Sequence, residues 1–327
     1  MAKVSIIIPV YNAEQYIERC ARTLFGQTLS DIEYIFIDDC SPDHSIEKMY
    51  SILEQYPHRK HQVKVIRNER NLKQAGSRRA GMQAATGDYM IHCDPDDWVE
   101  PEMYQSLLDK ALQSGSDVTS CGIALEKRNG TQVLPMHQVA NAHDYINMVL
   151  KAKMNWSLCT KLIKSSVIRE HDIYPFPGIN YMEDVGVCVR VFYYANHLSF
   201  VDRPFYHYNL LNDDSISHEK DFTPNIAQGK ACIEQLQSFF ADKAECFDDF
   251  LNTYKLIIKN EYLNMSPKRY SSWRKTFPEL RSQIFTVERF PVMLRLSQFF
   301  MAYGITLPYR TYDLTNRIIW KIKSLVS

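Results

Sequence analysis

Three polar clusters stand directly after short apolar runs, and two of them are strongly acidic. Asp94-Pro95-Asp96-Asp97 follows Tyr89–Cys93, Asp38-Asp39-Cys40-Ser41-Pro42-Asp43 follows Tyr34–Ile37, and Pro9-Val10-Tyr11-Asn12-Ala13-Glu14 follows Val4–Ile8. Paired carboxylates offer hard oxygen ligands of the kind that hold Mg²⁺ or Mn²⁺ and leave positions open for phosphate oxygens. No G-x-G-x-x-G follows the first run and no Walker A sequence occurs, so no glycine-rich loop is prepared for a pyrophosphate. Phosphate binding through a carboxylate-held metal is therefore the expected chemistry. The plain alternative for Asp94-Pro95-Asp96 is an acidic turn that caps the helix beginning at Pro101.

The elements that must carry these clusters alternate. Strands are expected at Val4–Ile8, Tyr34–Ile37, Val63–Ile66, Tyr89–Cys93 and 117–125, the first nearly continuous and β-branched, as in a strand buried on both faces. Helices are expected over 14–27, 43–55, 74–86, 102–114 and 182–195; Tyr16, Ile17, Cys20, Ala21, Leu24 and Phe25 recur at helical spacing. Such alternation predicts an α/β fold, a mostly parallel, Rossmann-like sheet with helices on both faces. In open sheets of this kind ligands bind beyond the carboxyl ends of the strands, where the polar clusters fall. After about residue 220 the chain reads as helical and rich in aromatic and basic residues. The expected division is a domain over 1–218, with a nucleotide-binding segment at 1–125 and an acceptor-side segment at 126–218, followed by a helical region over 219–327.

Ser5-Ile-Ile-Ile-Pro-Val-Tyr-Asn-Ala-Glu14, Ile37-Asp-Asp-Cys-Ser-Pro-Asp43, Asn71 through Arg78 and Asp94-Pro-Asp-Asp97, in this order, resemble family 2 glycosyltransferases of the GT-A fold. Glu183-Asp184 is similar to that family's acidic pair near the acceptor, and Tyr206-His-Tyr208 with Ser215-Ile-Ser217 to the segment that closes many bacterial members. The resemblance implies transfer of a sugar from a UDP-sugar to an acceptor hydroxyl, with Mn²⁺ or Mg²⁺ and with inversion. It implies that Tyr11 lies against the nucleobase, that Asp39 accepts from the uracil N3–H, and that Pro9, Asn12 and Glu14 shape that loop. Arg78 would face the nucleotide or its phosphates, Asp94 the ribose or metal, and Asp96 would be the principal metal ligand. Asp184 would be the base, with Glu183 its neighbour or substitute. Four departures stand out: Cys40 and Lys73 where glycine is usual, Pro95 for serine, and Asn209 for arginine. Lys73 would add a phosphate contact.

A divalent metal would offset charge on the departing diphosphate, and a carboxylate would take the acceptor proton. The implied acceptor is a saccharide or lipid-linked saccharide of a bacterial surface polysaccharide, with no nucleic-acid partner. A nucleotidyltransferase and a non-catalytic nucleotide-sugar-binding subunit are the rival readings.

The formal charge is zero, but residues 1–254 carry 25 Lys/Arg against 34 Asp/Glu and residues 255–327 carry 13 against 4. That basic surplus suits an anionic membrane surface, or docking on the acidic body. Ile318, Ile319, Ile322, Leu325 and Val326, beside Arg317, Lys321 and Lys323, would form an apolar stripe with a basic flank on a helix, suited to a membrane interface or to packing on another tail helix or a second subunit. The eight cysteines show no Cys-x-x-Cys pair and are expected to be reduced thiols. With no signal-like start and no long apolar run, a cytoplasmic protein, peripheral at the inner face of the plasma membrane, is expected.

Overall fold

Val4–Val10 is buried along its whole length and forms the central strand, β1. The computed structural model describes residues 2–212, 223–243 and 247–326, with side chains as far as Ile319. The chain forms two compact units: Met1–Val149 with Lys153–His218, and Leu150–Ala152 with Glu219–Ser327.

In the first unit β1 is followed by α1 (Ile17–Phe25), β2 (Ile32–Asp38), α2 (Ser45–Leu53), β3 (Val63–Arg67), α3 (Lys73–Ala84), β4 (Tyr89–His92), β5 (Trp98–Val99) and α4 (Met103–Ser114). Then come β6 (Val118–Lys127), β7 (Gly130–Val133), α5 (Ala142–Leu150), β8 (Lys161–Lys164), α6 (Ser165–Glu170), α7 (Glu183–Tyr194) and β9 (Leu198–Asn209). The sheet order is β3-β2-β1-β4-β8-β6-β9-β5, with β7 on β6. The expected mostly parallel sheet holds over β3-β2-β1-β4. Beyond it the sheet is mixed: β8 enters antiparallel between β4 and β6, and the short β5 and β7 also run against their neighbours.

Helices are held to the sheet by the predicted faces. Ile17, Cys20, Ala21, Leu24 and Phe25 of α1 are buried, and burying a side chain of the Leu or Phe size contributes about 1.5–3 kcal/mol. On α3, Gly81 is required by close approach: a Cβ there would overlap Ile7 and come within 2.7 Å of Ile37. That contact seats α3 closely on β1 and β2, and Arg78 lies one turn earlier on the same helix. Register then aligns the polar clusters. Val10 lies beside Asp38 and Ile7 beside His92, so the loops after β1, β2 and β4 emerge at one edge.

The second unit contains α8 (Thr223–Phe240), α9 (Asp248–Asn264), α10 (Tyr270–Lys275), α11 (Val292–Ala302) and α12 (Leu307–Val326). Its core gathers Leu256, Leu263, Trp273, Leu280, Ile284, Val287, Met301, Ala302 and Tyr309. The seven cysteines among the described residues are free, and all but Cys40 are buried. Ser215, Ser217, His218, Cys246 and the side chains of Lys321, Ile322, Lys323, Leu325 and Val326 lie outside the described residues.

Candidate active site

Arg78 is the hub of the strand-end cluster. It is 1% exposed on α3, and its Nη2 lies 2.9 and 3.3 Å from the two carboxylate oxygens of Asp94. Its Nη1 donates to Glu183 Oε1 at 3.2 Å and to Asp184 Oδ1. One guanidinium thus ties the loop after β4 to the first turn of α7. Burial acts to lower its pKa, but the charges of Asp184, Asp94 and Glu183 outweigh this and hold it well above the ordinary value. Burial, then the neighbouring Asp184 charge, push Glu183 up to about 8. Arg78 Nε and His92 Nδ1 are buried with no hydrogen-bond partner among the described residues. Burial and the Arg78 charge keep His92 well below its ordinary value, so a neutral imidazole backs the site.

The acidic pair is aimed by local backbone. Met182 takes a left-handed conformation, φ +68°, and starts α7 so that Glu183 and Asp184 occupy its first turn, where the helix dipole favours negative charge. Asp184 Oδ2 also faces the Leu158 N–H at 3.4 Å. The turn carrying Leu158 is fastened by Lys161, 1% exposed, whose Nζ donates to the Ser157 carbonyl at 2.7 Å. Trp156 is buried in the same turn.

In the Asp94–Asp97 loop each carboxylate has a different surrounding. Asp97 is a clamp: its Oδ2 accepts from the Tyr206 hydroxyl at 2.5 Å and its Oδ1 from the Asn209 N–H at 2.8 Å. The same hydroxyl accepts from the Asp94 N–H at 3.2 Å. Asn209 is therefore committed to holding this loop through its backbone. Asp96 Oδ2 accepts from Asn212 Nδ2 at 2.8 Å. Burial, then the Asp94 charge, raise the Asp96 pKa; a nearby cation would relieve both effects.

After β2, Asp39 is 2% exposed, and its Oδ1 accepts from Asn68 Nδ2 and the Leu72 N–H, each at 2.7 Å. Its Oδ2 takes no hydrogen bond among the described residues. Asn12 has φ +51° and donates its N–H to Ser41 Oγ at 2.8 Å; Glu14 Oε2 accepts from the His44 N–H at 3.1 Å. Pro9 is buried at the end of β1, and Tyr11 is 51% exposed. A cleft of about 360 Å³ lined by Asn12, Glu14, Gln15, Tyr16, Asp43 and Lys48 opens beside them. Cys40 and Lys73 have φ +57° and +61°, which accounts for the fit of glycine at both positions.

The structure brings Asp94, Arg78, Glu183 and Asp184 into one contact group, keeps Asp96 beside Asp94, and sets Pro9, Tyr11, Asn12, Glu14 and Asp39 along the same edge. Lys73 is exposed at the start of α3. Both terminal nitrogens of Arg78, which is expected to face the nucleotide or its phosphates, lie against carboxylates. Asn180, whose Oδ1 accepts from the Ala75 N–H at 3.0 Å, and Asn212 have no precursor in the sequence reading. His207 is bound by Glu126 at 2.7 Å and Glu100 at 2.8 Å and stacks on Trp98; its surroundings are structural.

No three His, Cys, Asp or Glu side chains among the described residues form a metal-holding group. The donor set still fits a divalent ion. One or two hard carboxylates, Asp96 first, would hold it, and the remaining positions would fall to diphosphate oxygens and water, a usual arrangement for Mg²⁺.

The family profile described as Glycosyl transferase family 2 matches residues 5–170. EpsH of Bacillus subtilis is 28% identical, over 85% of this chain and 81% of its own. Among solved structures, Staphylococcus aureus TarS 1–349 in complex with UDP-GlcNAc superposes with a TM-score of 0.72 at 17% identity, covering 96% of this chain and 91% of that one. The mannosyltransferase PcManGT of Pyrobaculum calidifontis, in complex with GDP-Man and Mn²⁺, gives 0.53 at 13% identity, covering 95% and 82%. The fold is GT-A.

Proposed function

Because the chain belongs to glycosyl transferase family 2 and is a glycosyltransferase, we propose that it moves a sugar from a UDP-sugar onto an acceptor hydroxyl with the help of Mn²⁺ or Mg²⁺. The observation that carries this reading is the Arg78 hub, which joins the Asp94 loop to the Glu183-Asp184 pair. A donor held at the strand ends and an acceptor proton to be removed then lie within the reach of one side chain.

The division of labour follows from charge. Asp39 Oδ2 receives a base N–H, and Tyr11 covers the base. Asp96, with Asp94 beside it, holds the metal, which supplies Lewis-acid stabilisation to the departing diphosphate when bound. Asp184 takes the proton of the attacking hydroxyl, and Glu183, its pKa raised, lends it a hydrogen-bonding neighbour. With Asp184 as the base, the reading is in-line displacement with inversion. The donor in the TarS complex, UDP-GlcNAc, and the Mn²⁺ in PcManGT support the donor and metal assignments.

We place the acceptor among saccharides or lipid-linked saccharides of a surface polysaccharide, met at the cytoplasmic face of the plasma membrane. Calorimetry with UDP, with and without Mn²⁺, tests the reading. Asp96→Ala should remove the metal-dependent part of UDP binding and abolish transfer. An unchanged metal effect would overturn the assignment of Asp96, and release of pyrophosphate in place of UDP would make the enzyme a nucleotidyltransferase.

A further inference from the structure

Of 17 exposed large apolar side chains among the described residues, 11 lie at or beyond Phe285. Helix α11 shows why they are exposed. Its Ser297, Gln298, Met301 and Ala302 are buried, while Val292, Met293, Leu296 and Phe300 are 62, 64, 39 and 37% exposed. The exposed four recur at i, i+1, i+4 and i+8, a single helical face. An amphipathic helix of a water-soluble surface turns its apolar stripe inward; α11 carries an apolar stripe outward as well. Phe299 joins the surface rings of Phe285, Phe300 and Tyr303 at centroid distances of 5.4, 5.9 and 5.1 Å.

Helix α12 continues the pattern after the exposed Ile305. Leu307, Leu314 and Ile318 are 70, 60 and 51% exposed and fall within roughly 40° of one another at about 100° per residue. Arg310 and Arg317 lie about a fifth of a turn to one side, both exposed. Each keeps a local contact, Arg310 over the Tyr270 ring at 5.5 Å and Arg317 with Asp313 at 3.1 Å. Across residues 255–327 there are 13 basic residues against 4 acidic.

We propose that the outward faces of α11 and the first half of α12 seat the protein on an anionic lipid surface. Apolar and aromatic side chains enter the headgroup boundary, and the basic flank meets anionic headgroups, as for a helix lying in a membrane interface. No helix among the described residues is long and apolar enough to cross a membrane. The charge selects lipid over a second copy: two faces each flanked by the exposed Arg310 and Arg317 repel, whereas an anionic bilayer complements them. The seat deepens the lipid-linked-acceptor reading, which it rests on only for its usefulness, because binding to lipid requires neither donor nor acceptor.

Vesicle flotation of the full chain, without donor or acceptor, tests it. The protein should float with phosphatidylglycerol-containing vesicles, and at least about tenfold less with pure phosphatidylcholine or in high salt. Met293→Asp combined with Phe300→Asp should lower flotation at least about tenfold with circular dichroism unchanged. Arg310→Gln with Arg317→Gln should weaken it on anionic vesicles alone, and Leu112→Asp, an exposed apolar site in the first unit, should leave it intact. Absence of flotation, or flotation indifferent to the α11 pair, overturns the proposal. So does concentration-dependent dimerisation that the α11 pair abolishes while vesicles bind nothing. If flotation fails while metal-dependent release of UDP from the donor persists, the lipid seat falls and the transferase reading stands.

Discussion

Arg78 in the first unit and Lys259 in the second are both cations at 1% exposure, and burial acts to lower both, yet their pKa values move opposite ways. Arg78 meets three carboxylates and is held well above its ordinary pKa. Lys259 Nζ meets the Phe277 carbonyl at 3.3 Å and the Trp273 ring at 4.1 Å, and burial pulls it down to about 8. Its nearby acid, Glu279, is paired to Lys255 at 3.1 Å. Burial alone therefore does not set the fate of a charge; the partners do. The first unit surrounds its cation with three carboxylates, and the second shelters a cation that its core would hold more easily neutral.

The largest test of this contrast is Arg78→Met. It strips the counter-charge from Asp94, Glu183 and Asp184, and breaking a buried ion network costs about 3–5 kcal/mol. Denaturant unfolding should show that loss together with loss of transfer; a drop below about 1 kcal/mol with transfer retained would break the comparison. Asp184→Asn, which keeps the shape, should leave UDP affinity nearly intact and reduce turnover by about 10²–10⁴-fold. Steady-state kinetics beside Glu183→Gln decides which acid is the base: if the Glu183 change is the crippling one, the roles are reversed.

Lys259 gives a smaller effect with a definite sign. Folded, it releases its proton near pH 8, whereas an unfolded lysine keeps it to about 10.4. Between those values the unfolded chain binds more protons, so stability rises with pH. The rise should amount to about 1–3 kcal/mol and should flatten in Lys259→Met, measured by denaturation at several pH values across the interval. The smallest effect is at Lys73. Lys73→Gly relieves a left-handed conformation and should change stability by no more than about 1 kcal/mol in its favour. A weaker donor affinity in that variant, read by calorimetry, would confirm a phosphate contact by the lysine.

The parallel half of the sheet was legible because β1, β2 and β4 are apolar runs with polar residues immediately after them. The acidic clusters were legible for the same reason, since a strand end is a fixed place in an open sheet. The insertion of β8 was not: Lys161–Lys164 offers only Leu162 and Ile163 as apolar residues, too short for a period to declare itself. Nor was the role of Arg78, whose partners lie 16, 105 and 106 residues away. Asn180 and Asn212 escaped because asparagine is a common turn residue, and only their positions opposite Ala75 and Asp96 give them meaning. Cys40 and Lys73 were noticed as departures from glycine, and the left-handed backbone supplies the reason.

The position of β8 bears on how such an enzyme can be rebuilt. A donor segment at 1–125 and an acceptor segment at 126–218 look like interchangeable cartridges when read along the chain. In the sheet they are woven: β8, from the second segment, is hydrogen-bonded between β4 of the first and β6, whose paired residues Val118–Ser120 also lie in the first. A chimera that exchanges 126–218 for a relative's sequence therefore replaces an internal plank of the sheet. A cut at 125 would fall inside β6 and part β8 from β4, so specificity is better transplanted loop by loop.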